Sequence, residues 1–265
     1  MIEPGQIVES YHIGALLAEG ATSRVFEAVS ASGEPVALKV LKAQAPGDME
    51  AKRFEREAHL GRVLVHAGLA RMIHHGPGWI AFERLGPGLS DTAVRRAHVG
   101  PRPIASLLAQ LAGILAFLHS RGVVHRDVKP SHVLFRDAAT AVLADLGIAG
   151  LMADDPLEGS EIVGSPGWMA PEQAAGAPPA PPADVWSLCA VGAWLLSGRA
   201  LFSGAADTVL RDRQAGLLPR FDDAGVPAEA SSLAALRKAG LAVEPSQRPT
   251  LRDITNFART PFEMG

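Results

Sequence analysis

Cysteine is nearly absent from this sequence. The single residue, Cys189, has no second thiol to pair with, which excludes an intramolecular disulfide. Its apolar, helix-patterned surroundings make it a buried structural thiol. An excess of either charge is lacking too. The formal net charge is −3, with 25 Lys and Arg against 28 Asp and Glu, and so balanced a chain points to neither nucleic acid nor a membrane surface as partner. No apolar run approaches the roughly 20 residues that cross a bilayer. The N-terminal MIEPGQIVES lacks the basic-then-apolar pattern of a secretory signal. The expectation is a soluble, cytoplasmic chain. Internal repeats are missing, and the one biased tract is GAPPAPP at 176–182. It reads as a loop, because proline continues neither a helix nor a central strand.

What the chain does have is 265 residues, 48% of them hydrophobic and 20% charged, enough to bury a sizeable core. The first 85 residues read mostly as strands around one helix. YHIGALLAEG and SRVFEAVS are rich in β-formers and bracket a turn containing Gly20. PVALKVLK is an apolar strand with a lysine near its end, and WIAFERLG is another, stopped by Gly-Pro-Gly at 86–88. Between them AKRFEREAHLGRVL repeats apolar residues at helical spacing with charges on the other face. Beyond residue 86 the pattern turns helical. IASLLAQLAGILAFLHSRG should end at Gly122, and the very apolar ADVWSLCAVGAWLLSG at Gly198. The fold class expected is α+β, a small antiparallel β-rich part up to about residue 85 followed by a larger helical part.

Several stretches carry chemistry. AEGATSRV at 18–25 joins two strands, and small residues there let backbone N–H groups approach a polyphosphate closely, although Gly20 alone reads equally as a turn residue. VALK ends in Lys39. Taken alone this is a solvated strand lysine; buried, it needs a counter-charge, which Glu57 of RFEREA could supply. HRDVKP packs Asp127, Lys129 and Pro130 into four residues after the short apolar strand at 123–124. A carboxylate there can accept a hydroxyl proton while the lysine steadies charge on a transferring group. Asp145 follows Asp127 by 18 positions, at the end of the strand VLAD, a spacing that suits a hairpin between that strand and the one before HRD.

In this order and spacing, these segments resemble the protein kinase signature set: glycine-rich loop, strand lysine, helix glutamate, HRD loop, DFG and APE. DLG at 145–147 stands for DFG, and APE is intact at Ala170–Glu172. The likeness runs from about residue 11 to 257 and, in RFEREA, HRDVKPS and APEQ, is to bacterial eukaryotic-like serine/threonine kinases. It implies one bilobal kinase domain over 1–265, with an N-lobe of about 1–85 and a C-lobe of about 86–265. It implies ATP, with Mg²⁺ or Mn²⁺, as cofactors, and a protein substrate as partner, the chain itself being a second candidate acceptor. By the resemblance Leu17, Ala18, Glu19, Gly20, Ala21, Thr22, Ser23, Arg24 and Val25 form the loop over the phosphates. Lys39 contacts the α- and β-phosphates and pairs with Glu57, in an ion pair expected to be part-exposed. Ala37 packs on adenine, Phe82 stands at the back of its pocket, and the backbone of Glu83 and Leu85 meets its edge. Asp127 is the base, Lys129 lies near the γ-phosphate and Asp145 binds the metal. Glu172 pairs with Arg248. Lys129 and Ser165 favour the serine/threonine over the tyrosine type.

Three departures from the family pattern matter. Ala18 and Ser23 replace glycines of the loop. Between Asp145 and Glu172 the only hydroxyls are Ser160 and Ser165, whereas Asp154, Asp155, Glu158 and Glu161 are acidic. Either this is a solvated acidic loop, or a carboxylate partly replaces the ordering phosphate opposite Arg126. His132 replaces the asparagine that holds the second metal in the family, and imidazole suits Mn²⁺ better than Mg²⁺. Two functions therefore stand open: an active kinase, and a pseudokinase acting as a nucleotide-binding or partner-docking module.

Overall fold

A computed structural model describes residues 3–42, 49–152, 163–199, 201–202, 204–217 and 231–257. The described chain divides into two compact units. One runs up to Gly86 and includes Ala144–Gly147; the other takes the rest.

The first unit is built on strands β1 (Ile7–Val8), β2 (Tyr11–Glu19), β3 (Ser23–Ser30), β4 (Pro35–Leu41), β5 (Met72–Gly76) and β6 (Trp79–Glu83), with helix α1 (Met49–Val63) between β4 and β5. The sheet is antiparallel in the order β1-β2-β3-β4-β6-β5. Alternation along the strands divides the residues between its two faces. One face buries Tyr11, Ile13, Phe26, Ala28, Val36, Leu38, Val40 and Ala81 as a single cluster. The other carries Ile80, which packs with Phe54 and Ala58 of α1 and with Leu41, Met72 and Phe82. Val25 pairs with Lys39, and Ala37 with Phe82, so these four side chains share the α1 face. Strand β5, MIHHG, was not foreseen from the sequence.

The second unit contains α2 (Thr92–Ala97), α3 (Pro101–Ser120), β7 (Val123–Val124), β8 (Val133–Phe135), β9 (Ala141–Leu143), β10 (Gly150–Leu151), α4 (Pro171–Ala174), α5 (Pro181–Ser197), α6 (Ala206–Gln214), α7 (Ser231–Gly240) and α8 (Leu251–Phe257). Helix α3 buries Ile104, Leu107, Leu108, Leu111, Leu115 and Leu118, and packs on α5 and α8. By length and composition it could cross a membrane, contrary to the expectation that no such run exists; its buried face makes it a core helix of this unit. Gly122 and Gly198 adopt positive φ of 73° and 66° just past α3 and α5, as a helix-ending glycine does. Cys189 is buried, and burial pushes its thiol up to about 12, so it is inert at neutral pH.

Two expectations are corrected. The tract 176–182 is not all loop, because Pro181 and Pro182 open α5. First-turn N–H groups have no intrahelical acceptor, so proline loses nothing there. The anticipated hairpin also pairs differently: β9 pairs with β8, and β7 with β10. A turn of 3₁₀ helix at Pro130–His132 reverses the chain into β8. Asp137 then closes the β8–β9 turn by accepting the Ala139 and Thr140 N–H groups at 2.8 Å each.

Candidate active site

In the first unit Lys39 lies on the α1 face of β4, opposite Val25 and Ile80. Glu57 lies on the buried face of α1 with Phe54 and Ala58. The lysine Nζ donates to both carboxylate oxygens of Glu57, at 2.8 and 2.7 Å, and to Oδ1 of Asp145 at 2.9 Å. The Lys39 and Glu57 side chains are only 10% and 3% exposed, so the pair is buried and not part-exposed as expected. The reason is that Phe54 and Ala58 seat α1 on the sheet on either side of the glutamate. Burial opposes the ammonium charge, but Glu57 and Asp145 outweigh it and hold the Lys39 pKa above its ordinary value. Burial pushes the Glu57 carboxyl up to about 7 against the pull of Lys39, and the Asp145 charge adds to the rise.

Asp145 has a left-handed φ of 68°. Its Oδ1 also accepts the Gly147 N–H at 3.0 Å. A β-carbon on Gly147 would lie 3.0 Å from that oxygen and 3.1 Å from Glu57 Oε2, so the DLG glycine makes room for the charge cluster. The Asp145 side chain is 37% exposed and offers carboxylate oxygen, the donor a hard cation prefers.

The stretch from Leu17 to Val25 takes in the end of β2, the turn at 20–22 and the start of β3. The Gly20 N–H donates to Ser23 O, and the Lys42 N–H to Thr22 O, both at 2.9 Å. A β-carbon on Gly20 would meet only Ser23 O at 3.6 Å, so the turn itself does not demand glycine there. Glu19 binds Arg24 at 3.1 Å and Lys42 at 2.8 Å, which together hold its carboxyl below the usual value. Ala18 pairs with Val25, and Ser23 is buried. Ala21 and Thr22 at the tip are exposed. Ala37 faces Phe82, Phe82 packs on the α1 cluster, and Leu85 is buried. The Glu83 N–H bonds Arg71 O at 2.9 Å.

In the second unit the HRD loop is hung from Asp184, a fully buried carboxylate in the first turn of α5. Its oxygens accept the N–H groups of His125 at 2.9 Å and Arg126 at 2.8 Å, and His119 Nε2 lies 2.8 Å away. Arg126 is thereby held at a positive φ of 69°, which few non-glycine residues adopt, and Gln173 donates to its carbonyl at 2.7 Å. The carboxylate of Asp127 is placed by two further groups. Lys129 Nζ donates to Oδ2 at 2.7 Å, and the Ser165 N–H to Oδ1 at 3.0 Å. Lys129 also reaches Ser165 Oγ at 2.7 Å, which closes a three-residue network.

His132 turns its Nδ1 to the Asp127 carbonyl at 2.9 Å, and that atom is 3.5 Å from Asp127 Oδ2. A carbonyl only accepts, so Nδ1 carries the proton and Nε2 is left as the ring's lone-pair nitrogen in the neutral form. Arg248 clamps Glu172 through Nη1 and Nη2 at 2.5 and 2.7 Å and donates to the carbonyls of Pro182, Ala242 and Val243. Ser160 and the acidic residues Asp154, Asp155, Glu158 and Glu161 lie outside the described residues.

The kinase resemblance extends to Asp184 at the head of the apolar helix without assigning it partners, and His119 and Gln173 were not foreseen. One signal was available: a carboxylate inside an apolar run has to be paired. Ser165 was read for its hydroxyl, whereas its backbone N–H is what fixes Asp127.

An ammonium held between carboxylates, a lysine-bound aspartate on a loop and a clamped APE glutamate are the parts of a phosphoryl-transfer domain. The family model described as the protein kinase domain matches residues 11–259, and the chain belongs to that family. Its bilobal α+β fold is therefore the kinase fold. The chain is 32% identical over 207 residues to the serine/threonine-protein kinase PknA of Mycobacterium tuberculosis, covering 73% of this chain and 48% of that protein. To PknL, a serine/threonine-protein kinase of the same species, it is 29% identical over 245 residues, 88% of this chain and 61% of the relative. The chain thus spans about half to three-fifths of the length of these curated relatives. ATP and a divalent metal are general to the family.

Proposed function

We propose that this chain transfers the γ-phosphoryl group of ATP to serine or threonine hydroxyls of proteins, itself included, in the cytoplasm. The observation that carries the reading is the Asp127–Lys129–Ser165 network. It fixes a carboxylate at the position of the family's base and keeps a lysine ammonium beside it. Asp127 takes the acceptor's proton as the new O–P bond forms, and Lys129 offsets charge on the moving group. Lys39, oriented by Glu57, holds the nucleotide phosphates. The HRD loop's anchor on Asp184 and the paired Lys39 support this reading, and no observation favours the pseudokinase.

Asp145 fits a divalent cation bound in the manner of Mg²⁺, through one or two carboxylates together with phosphate oxygens. When bound, the cation neutralises charge on the phosphates. His132 can contribute only through Nε2, and a metal-binding imidazole commonly donates its other N–H to a carbonyl, as Nδ1 does here. The metal preference should therefore lean towards Mn²⁺. The test is transfer from radiolabelled ATP to a generic basic protein, with Asp127→Asn as control. Wild-type transfer that the variant loses is expected; ATP binding without transfer in either metal would overturn the reading. His132→Asn should raise the Mg²⁺ rate relative to the Mn²⁺ rate, and an unchanged ratio would leave His132 as a loop brace alone.

A further inference from the structure

Just past β6 the chain leaves one backbone donor unspent and one backbone acceptor taken. Leu85 is buried, and its N–H has no hydrogen-bond partner among the described residues. A buried N–H is rarely left without an acceptor, so this one calls for an acceptor that a ligand brings. The Leu85 carbonyl is in the opposite state. It accepts Nη1 of Arg84, and Nη2 of the same guanidinium binds Glu27 Oε1 at 2.7 Å. Glu27 lies on β3 opposite Ala37, which in turn pairs with Phe82, so the three share one face of the sheet. All of these residues belong to the first unit. A strand carboxylate thus holds a cation against the carbonyl of the residue whose backbone is assigned to the adenine edge.

We propose that Arg84 sets the base specificity of the nucleotide site: by engaging the Leu85 carbonyl, it admits a purine with hydrogen at C2 and rejects one with a 2-amino group. The inference rests on the ATP reading above. In an extended chain the N–H and C=O of one residue point to the same side. A purine that accepts the Leu85 N–H at N1 therefore turns its C2 edge to the Leu85 carbonyl. Adenine fits, because its N1 is a lone-pair nitrogen and its C2 hydrogen needs no acceptor. A 2-amino group does need one. The carbonyl has a second lone pair, but the guanidinium hydrogens beside it repel those of an incoming amino group and block its approach. The Glu27–Arg84 pair is part-exposed and adds little to stability, so its effect lies in selection.

GTP differs from ATP at N1 and C6 as well, so the probe that isolates C2 is the 2,6-diaminopurine analogue. Isothermal titration calorimetry with ADP and with 2-amino-ADP, neither of which can donate a γ-phosphoryl group, reads the two affinities in the presence of Mg²⁺. Transfer from ATP to a generic basic protein is followed in parallel. The wild type should bind 2-amino-ADP about tenfold more weakly than ADP, the worth of about one hydrogen bond. Arg84→Leu should bring the two within about twofold of each other, and Glu27→Gln, which keeps the arginine but loosens it, should fall between. Equal affinities in the wild type, or a ratio that Arg84→Leu leaves unchanged, would overturn the proposal. Arg84→Leu weakening both nucleotides alike would refute selection and leave the arginine as a brace of this segment. The expected ratio without any transfer would uphold this proposal and overturn the phosphoryl-transfer reading, whereas no binding of either nucleotide would overturn both.

Discussion

Replacing Lys39 by methionine should do more than stop transfer: it should strand Glu57. That carboxyl is 2% exposed, and in the wild type it faces the ammonium at 2.7 and 2.8 Å. Without the lysine it must stay ionised and unpaired or take up a proton, and the cheaper course sets the cost. At about 1.4 kcal/mol per pH unit, protonating a group whose ordinary value is 4.5 costs about 4 kcal/mol at pH 7.5 and under about 1 kcal/mol at pH 5. The wild type differs on two counts. Its Glu57, raised to about 7, already lowers stability as pH climbs from 4.5 to 7, because the folded state binds the proton more tightly. Its Lys39, raised above the ordinary 10.5, returns stability that is present throughout the neutral range and lost only in strong alkali. Lys39→Met removes the second contribution, which does not vary across the neutral range, and lets the Glu57 carboxyl rise further. Urea unfolding should therefore show the variant about 3–4 kcal/mol less stable at pH 7.5, with the gap narrowing by about 1 kcal/mol at pH 5, where Glu57 is protonated in both proteins. Lys39→Met with Glu57→Leu should recover most of the loss. A gap that does not change with pH, or one under about 1 kcal/mol at pH 7.5, would refute the argument and return the pair to the weak class of surface bridges.

Arg248→Lys should lower stability by about 3 kcal/mol in thermal or urea unfolding, since an ammonium cannot reproduce the two-point grip on Glu172 and the three carbonyl contacts. Arg213→Met should raise the unfolding free energy by about 1 kcal/mol, read as a higher unfolding midpoint. Its guanidinium is fully buried, none of its three nitrogens has a hydrogen-bond partner among the described residues, and it lies against Phe202 and Trp186, at 3.2 and 4.7 Å from the ring centres; a fall of several degrees would show that those ring contacts outweigh the buried charge. Asp184→Asn should reduce transfer at least about 100-fold with ATP affinity little changed. The amide can accept only one of the two loop N–H groups and turns its own NH₂ against the other; near-normal turnover would mean that Asp127 does not depend on that anchor.

The parts of the site that are local in sequence were readable, and the parts that depend on what lies across the fold were not. Strands β2, β3, β4 and β6 and helices α1, α3 and α5 announce themselves by alternation or helical spacing. MIHHG does not, because two adjacent histidines and a glycine give neither period, and it becomes strand β5 through its partner β6. The seven residues at 176–182 divide at a boundary that only the first turn of α5 defines. Pairing of Lys39 with Glu57 was legible as a need for counter-charge, but its burial was not, because that depends on how closely Phe54 and Ala58 bring α1 to the sheet.

Asp184 shows the same limit from the other side. Its position inside an apolar helix says that it has partners, but not that they are backbone N–H groups of His125 and Arg126, 59 and 58 residues earlier. Those two bonds make a positive φ at Arg126 tolerable, and that backbone bend sets the course of the chain into Asp127. Histidine can replace the family's asparagine at position 132 without undoing this, because the bond that braces the loop needs only one N–H donor facing the Asp127 carbonyl, and Nδ1 provides it. The brace is thus a requirement that either side chain meets. On the proposed reading, metal choice is decided separately, at the ring's other nitrogen.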